Sequence, residues 1–277
     1  IKSSAASDVY KRQKGENAQM PPIKKSTPKQ DGFWMPGEFE PQKQVWMLWP
    51  IRTDVWRDGA KPAQEAYARV AEAICQFEPV TMGVSKEQYT NARAMLPKGV
   101  RVVEMSSNDA WMRDMAPAFV INGSGTVRGV DWGFNAWGGL TDGLYFPWDQ
   151  DAMIAEKICS LEGMRRYDAT DFICENGSIH TDGEGTLLTT EMCLLSAGRN
   201  PQLSKRQIEE KLSEYLNIEK VIWLKDGMDP AETNGHIDDV ACFVKPGEVA
   251  CIWTEDPEDP FYGVSRSAYE QLSQAVD

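Results

Sequence analysis

The chain has 277 residues, 42% of them hydrophobic and 26% charged, with a formal net charge of −13 and a pI near 4.7. That length can bury a large core as one domain or two, and no apolar run approaches the roughly 18–20 residues of a membrane span. The acidic balance, with basic clustering confined to the first residues, excludes neither solubility as its purpose nor steering of small cations, but it argues against nucleic acid as a partner.

Residues 1–31 are rich in Ser, Lys and Pro, show no hydrophobic period and read as a tail. Met20 stands just before Pro21-Pro22 as a candidate start, so residues 1–19 are set aside as a non-native leader, with a transit peptide as the alternative. Residues 32–277 form the globular part. Tyr67, Val70, Ala71, Ile74 and Phe77 recur at helical spacing over residues 62–78, and Pro79 ends the run. Residues 80–84 read as a strand, Ser85 as the cap of a helix ending before Pro97, and residues 100–105 as the next strand. Residues 131–139, Asp-Trp-Gly-Phe-Asn-Ala-Trp-Gly-Gly, are too glycine-rich for a helix and read as a lining loop. Asp149 precedes a helical run carrying Ile154, Ile158 and Leu161. Ser204 with Gln207 spells a capping box for a helix with Ile208, Leu212, Tyr215 and Leu216 on one face, and residues 221–224 follow as a strand. Ser265, Tyr269, Leu272 and Val276 mark a last helical pattern. Alternating strands and helices predict an α/β fold.

A weak repeat runs through this order. Asp114 precedes Gly123 by nine residues and Asp238 precedes Gly247 by nine, each pair framing an acid, an apolar strand, a glycine turn and another strand. Glu175 opens a looser copy, and Asp114, Glu175 and His236 are spaced at 61-residue intervals. One period carrying three polar groups predicts modules that each present an acid or His at the same place, which a closed array would bring together. Chance alignment of turn-rich hairpins is the alternative.

His236 is one of two histidines, and Asp238 lies two residues on, so an extended backbone sends both side chains to one face. Asp114 follows the aromatic Trp111 and the basic Arg113. Asp114 and Asp238 could each accept two N–H bonds from a flat, permanently charged guanidinium. Each could equally be a turn aspartate, and Asp114 could pair with Arg113. Trp111, Trp132 and Trp137 could wall a cationic pocket or fill the core. His180 and His236 both stand in His-x-Asp steps with Asp182 and Asp238, which admits a metal site, against which stand the scarcity of histidine and the absence of an HExxH motif. The six cysteines form no CxxC pair, and free thiols in a reducing compartment are expected. Cys75, Cys159, Cys193, Cys242 and Cys251 read as buried structural residues; Cys174 neighbours Glu175, with nothing obvious to activate it.

Several segments together resemble the agmatine deiminase family: Gly32 to Glu38, Trp111 to Asp114, Gly129 to Gly139, Glu175 to Gly183, and Glu232 to Asp238. The resemblance covers almost everything after the tail. It implies a pentein fold, an α/β propeller of repeated modules, and hydrolysis of agmatine to N-carbamoylputrescine and ammonia in putrescine biosynthesis. Carried over by motif, Asp114 and Asp238 would grip the guanidinium, His236 would be the general acid and base, and Glu175 would join the inner polar shell. Trp111 would line the pocket and Glu232 would face the distal amine. The resemblance implies no cofactor, no metal, a small cationic substrate and a cytoplasmic enzyme, with no nucleic acid or membrane partner; a homodimer is a further candidate. Bacterial-type peptidyl-arginine deimination, or non-catalytic binding of agmatine or another polyamine, are the competing functions. Asn176 and Asp239 depart from the family's usual Gly and Asn without touching these groups. The family's Gly-Gly-Asn-x-His-Cys segment, which holds its nucleophile, does not occur. The expectation is therefore a truncated propeller, less stable than a complete one and inactive.

Overall fold

The computed structural model describes residues 21–275. The leader expected over residues 1–19 lies outside the described residues.

Strands β1 (Phe33–Trp34) and β2 (Val45–Leu48) come first, followed by helix α1 (Lys61–Ile74), β3 (Val80–Val84), α2 (Tyr89–Met95) and β4 (Arg101–Glu104). β2, β3 and β4 make a parallel sheet in that order, with Met82 facing Met47 on one side and Val102 on the other. β3 is buried throughout, as a parallel strand covered on both faces must be. Met82, Trp49, Ala71, Ala92 and Leu96 share its core. α1 stops short of Pro79: the N–H groups of Phe77 and Glu78 both turn back to the Ile74 carbonyl, and Phe77 is 90% exposed. Ser85 makes no cap bond, and a 3-10 turn precedes α2 instead.

The next unit opens with α3 (Met112–Met115) and the hairpin β5 (Ala118–Asn122) to β6 (Val127–Gly133), then α4 (Ile154–Leu161) and β7 (Arg166–Ile173). β5 and β6 are antiparallel, β7 lies parallel to β6, and β1 pairs with the free edge of β5. The pattern recurs with β8 (Ile179–Thr181), β9 (Thr186–Thr190), α5 (Glu191–Leu194), α6 (Lys205–Leu216) and β10 (Lys220–Leu224), where β10 lies parallel to β9. A third hairpin, β11 (Ala241–Lys245) to β12 (Glu248–Cys251), precedes α7 (Tyr262–Gln274). These hairpins open four, four and five residues after Asp114, Glu175 and His236. The 61-residue spacing is therefore a structural repeat rather than chance. The described strands form four separate sheets, so the fold among the described residues is α/β without a closed barrel.

Two sequence expectations need correction here. Residues 21–31 do not trail away: the Ile23 N–H donates to the Arg166 carbonyl at 2.8 Å and its own carbonyl accepts from Asp168. Asp31 accepts from Arg128 at 2.7 Å and from the Tyr167 hydroxyl at 2.8 Å. Asp31 also accepts from Ser26 at 2.6 Å, and Lys24 pairs with Asp168 at 2.9 Å, so an apolar anchor and several polar contacts hold the segment on the sheet. The glycine-rich stretch is only partly a loop, since residues 131–133 end β6 and Gly139–Asp142 form a helical turn. At Gly133 a Cβ would stand 2.8 Å from the Thr170 carbonyl, so the glycine permits close strand approach rather than flexibility.

The capping box forms as expected: Ser204 accepts from the Gln207 N–H while the Gln207 side chain accepts from the Ser204 N–H. Ile208, Leu212 and Leu216 on α6 are fully buried. No helix among the described residues is long and apolar enough to cross a membrane. Ser204→Ala is expected to lower the unfolding free energy by about 1 kcal/mol and Leu212→Ala by about 2–5 kcal/mol. Urea unfolding followed by circular dichroism checks both, and an unchanged midpoint for Leu212→Ala would contradict the burial.

Candidate active site

Each module lends one polar group to a common centre. Asp114 sits on α3 after Trp111; Glu175 precedes the 3-10 turn Asn176–Ser178; His236 lies in the turn before β11. Gly177 is where they meet. Its N–H donates to Asp114 Oδ1 at 3.0 Å, and its carbonyl accepts from the Asp238 N–H at 3.3 Å. A Cβ here would stand 2.5 Å from His236 Nδ1, 2.6 Å from Asp114 Oδ1 and 2.9 Å from Asp238 Oδ2. Only glycine lets three modules close this tightly.

His236 Nδ1 lies 3.9 Å from Asp114 Oδ1 and 3.8 Å from Asp238 Oδ1, and Nε2 lies 3.7 Å from Glu175 Oε2. Asp114 Oδ2 accepts from Trp137 Nε1 at 3.0 Å. Asp238 Oδ2 pairs with Arg113 Nε at 2.9 Å, and Arg113 also pairs with Glu38. Glu175 faces Arg199, whose Nε lies 2.9 and 3.0 Å from its two oxygens. The rest of the Arg199 guanidinium donates to the carbonyl of Trp137, to Asn234 Oδ1 and to the carbonyl of Thr233. Above this floor a cavity of about 550 Å³ is lined by Trp46, Trp111, Asp229, Glu232, His236 and Asp239, among others.

The electrostatics follow from burial and neighbours. Burial disfavours the imidazolium of His236, but the charge of Asp114, with contacts to Cys193 and Glu175, outweighs it and holds the ring well above its ordinary value. Burial raises the carboxyl of Asp114, against the pull of His236, and raises Asp238 to about 6. Glu175 goes the other way: burial opposes its charge, but Arg199 overcomes it and keeps the carboxyl low. The centre is thus a proton-carrying imidazole beside carboxylates of unequal acidity, the kind of contrast that separates acid and base roles.

The structure brings together Asp114, Glu175, His236 and Asp238, with Trp111 and Glu232 at the cavity wall. Arg113 does not pair with Asp114 but bridges Glu38 and Asp238. Trp137 anchors Asp114, whereas Trp132 packs against Phe172 and Tyr215 in the core. The two His-x-Asp steps do not converge. His180 accepts from the Phe243 N–H at 3.2 Å and faces Glu38, and Asp182 closes a turn by accepting from Glu184 and Thr186. The donors that do cluster are Glu175, Cys193 and His236, all buried and within 4.8 Å of one another. Arg199 donates to Glu175 Oε2, lies 2.9 Å from Oε1 and brings a positive charge, which sets this group against a cation.

Sequence reading missed Arg199, the Glu38–Arg113–Asp238 chain and Cys193. The Gly-Arg-Asn-Pro step at residues 198–201 was the available signal for Arg199, an arginine in an otherwise turn-forming stretch. Cys159 and Cys193 are buried, as expected, and so is Cys174, while Cys75, Cys242 and Cys251 are only partly so; Cys193 lies on α5. Burial raises the thiol of Cys174 far above the ordinary range. The expected inactivity gains no support from the site: the described residues carry buried thiols, and Cys193 reaches the His236 cluster.

A family model described as Porphyromonas-type peptidyl-arginine deiminase matches residues 34–277. The chain is 64% identical over 252 residues to an Enterococcus faecalis protein whose name assigns it as an agmatine deiminase, covering 91% of this chain and 69% of that protein. A solved structure of the agmatine deiminase of Enterococcus faecalis catalysing its reaction superposes with a TM-score of 0.92 at 63% identity, over 92% of this chain and 70% of the other. An agmatine deiminase of C. jejuni with substrate bound superposes with a TM-score of 0.77 at 27% identity, over 87% and 71% of the two chains.

Burial raises Asp131 to about 7 and Asp151 and Asp238 to about 6. In the folded chain these acids hold protons that the unfolded chain has released, so their contribution to stability falls as pH rises through that window. His236 acts in the same direction, because stability from its raised value is lost as pH rises through it. Glu38, held at about 2 chiefly by its hydrogen bond with His180, opposes this only in the acid range. The melting temperature is expected to rise by several degrees as pH falls from about 8 to about 5.5. Calorimetry across that range checks it, and a flat or inverted profile would contradict the assignment.

Proposed function

We infer the function from one premise: the chain belongs to the family of Porphyromonas-type peptidyl-arginine deiminases. Within that family the reading is hydrolysis of agmatine to N-carbamoylputrescine and ammonia, the step that leads towards putrescine. The observation that carries it is the convergence of Asp114 and Asp238 on His236 Nδ1 beneath a cavity whose rim bears Asp229, Glu232 and Asp239. Two carboxylates suit the two edges of a planar guanidinium. Acidic groups at the rim suit a second, distal cation and disfavour the carboxylate of free arginine. An arginine within a peptide carries no second cation, which favours agmatine over a peptidyl substrate.

In this reading Asp114 and Asp238 hold the guanidinium with its carbon exposed, and Trp111 covers its face. The cysteine thiolate that the family resemblance implies would add to that carbon, His236 would give a proton to the departing ammonia, and the same ring would then take a proton from water attacking the amidino-thioether. Hydrolysis frees the thiol and leaves the urea of N-carbamoylputrescine. Glu175 stays ionised beside His236 and stabilises its charged form in both half-reactions. No cysteine lines the cavity among the described residues. The family resemblance further favours a propeller in which the three hairpin modules surround this centre.

Titration calorimetry tests the binding without requiring turnover. Agmatine is expected to bind, with Asp238→Asn and Asp114→Asn each weakening it by about tenfold to a hundredfold, the worth of a charge-assisted hydrogen bond. Glu232→Gln should weaken agmatine but leave butylguanidine, which lacks the distal amine, unchanged. Arginine binding as tightly as agmatine, or indifference to both aspartate variants, would sink the reading.

A further inference from the structure

The proton-transfer ring has an unassigned side. His236 is almost wholly buried, and among the described residues its Nε2 makes no hydrogen bond. Glu175 Oε2 stands near it at 3.7 Å, beyond hydrogen-bond distance, and that same oxygen accepts from Arg199 Nε at 3.0 Å. The third member of the cluster is Cys193, fully buried, with its Sγ within 4.8 Å of both the imidazole and Glu175.

Cys193 is placed there by more than packing. Thr190 caps α5, its hydroxyl oxygen accepting from the Cys193 N–H at 3.1 Å. The same hydroxyl donates to the Gly235 carbonyl at 2.6 Å, next door to His236. Gly235 itself has φ +77°, and a Cβ there would stand 2.6 Å from Met192 Sδ. One threonine therefore ties the thiol-bearing turn to the imidazole-bearing turn, and a glycine lets them close.

We propose that Cys193 is a positioning residue for His236: its sulfur shares the Nε2 proton of the ring with Glu175, and so holds Nδ1 towards the cavity. A neutral ring fixed with its proton on Nε2 has a free lone pair on Nδ1, ready to accept a proton from water. The protonated ring offers an N–H from the same Nδ1 to a leaving amine. With only Glu175 beside Nε2, at 3.7 Å, the neutral ring could place its proton on Nδ1 instead, between Asp114 and Asp238, where it would be useless as a base. A polarisable sulfur accepts from Nε2–H without adding a further fixed negative charge to the carboxylates of Asp114, Asp238 and Glu175 already around the ring.

The proposal rests on the reading of His236 as the proton-transfer group, but its test reads only the ring. The chain has two histidines, so selective ¹⁵N-histidine labelling gives a spectrum simple enough to assign, with His180 as the internal control. In the unaltered chain the neutral ring of His236 is expected as the Nε2–H tautomer. In Cys193→Ala its titration midpoint should fall by roughly one unit and its tautomer signals should become mixed, while His180 stays in place. Cys193→Ser, which keeps a short acceptor, should retain the Nε2–H tautomer with an intermediate midpoint. Unchanged His236 signals in Cys193→Ala would overturn the proposal. So would parallel displacement of His180 in both variants, which would assign the thiol to packing alone. Loss of agmatine binding elsewhere in the site would leave this result untouched, so the two readings fail separately.

Discussion

The site depends on one buried ion pair. Glu175 and Arg199 are both fully shielded from water, where an isolated charge is very costly and a broken pair costs about 3–5 kcal/mol. The pair is tolerable because both terminal nitrogens of Arg199 are also hydrogen-bonded, to the carbonyls of Trp137 and Thr233 and to the side chain of Asn234. Those acceptors belong to segments far apart in the chain. Arg199 therefore fixes the turn that carries His236 and the turn that anchors Asp114 against the module that carries Glu175. It also keeps Glu175 ionised, so that a negative charge faces Nε2 permanently.

Gly177 does for the backbone what Arg199 does for the charges. Its N–H holds Asp114 and its carbonyl holds the Asp238 N–H. A repeat of hairpin, helix and parallel strand places comparable turns at comparable positions, and the absence of a side chain at the meeting point lets three of them touch. The result is a cationic group surrounded by carboxylates, with Arg113 satisfying the outer edge of Asp238. A substrate guanidinium entering this centre meets carboxylates already oriented by protein donors and has little reorganisation to cause.

The groups of the centre were legible because they recur. Asp114, Glu175 and His236 share a period; Asp238 follows His236 by two residues, but in a turn rather than on the extended backbone that spacing predicts. The capping box of Ser204 was legible because its partner lies three residues away. What escaped depends on contacts between distant segments. Arg199 lies 62 residues from its Trp137 partner and 24 from Glu175, and Arg113 lies 75 from Glu38. No local pattern encodes such pairings. The tail was misjudged for the same reason: Asp31 finds Tyr167 at a separation of 136 residues, although its own neighbourhood looks unstructured. Trp132 and Trp137 have similar sequence surroundings, and only the end of β6 between them decides that one enters the core and the other reaches Asp114.

The most direct measurement is a crystal structure of the chain soaked with agmatine. The account predicts a guanidinium within hydrogen-bonding distance of both Asp114 and Asp238, its carbon facing the cavity, His236 Nδ1 beside it, and the distal amine among Asp229, Glu232 and Asp239. A guanidinium seated elsewhere, or the amine rather than the guanidinium between Asp114 and Asp238, would contradict it.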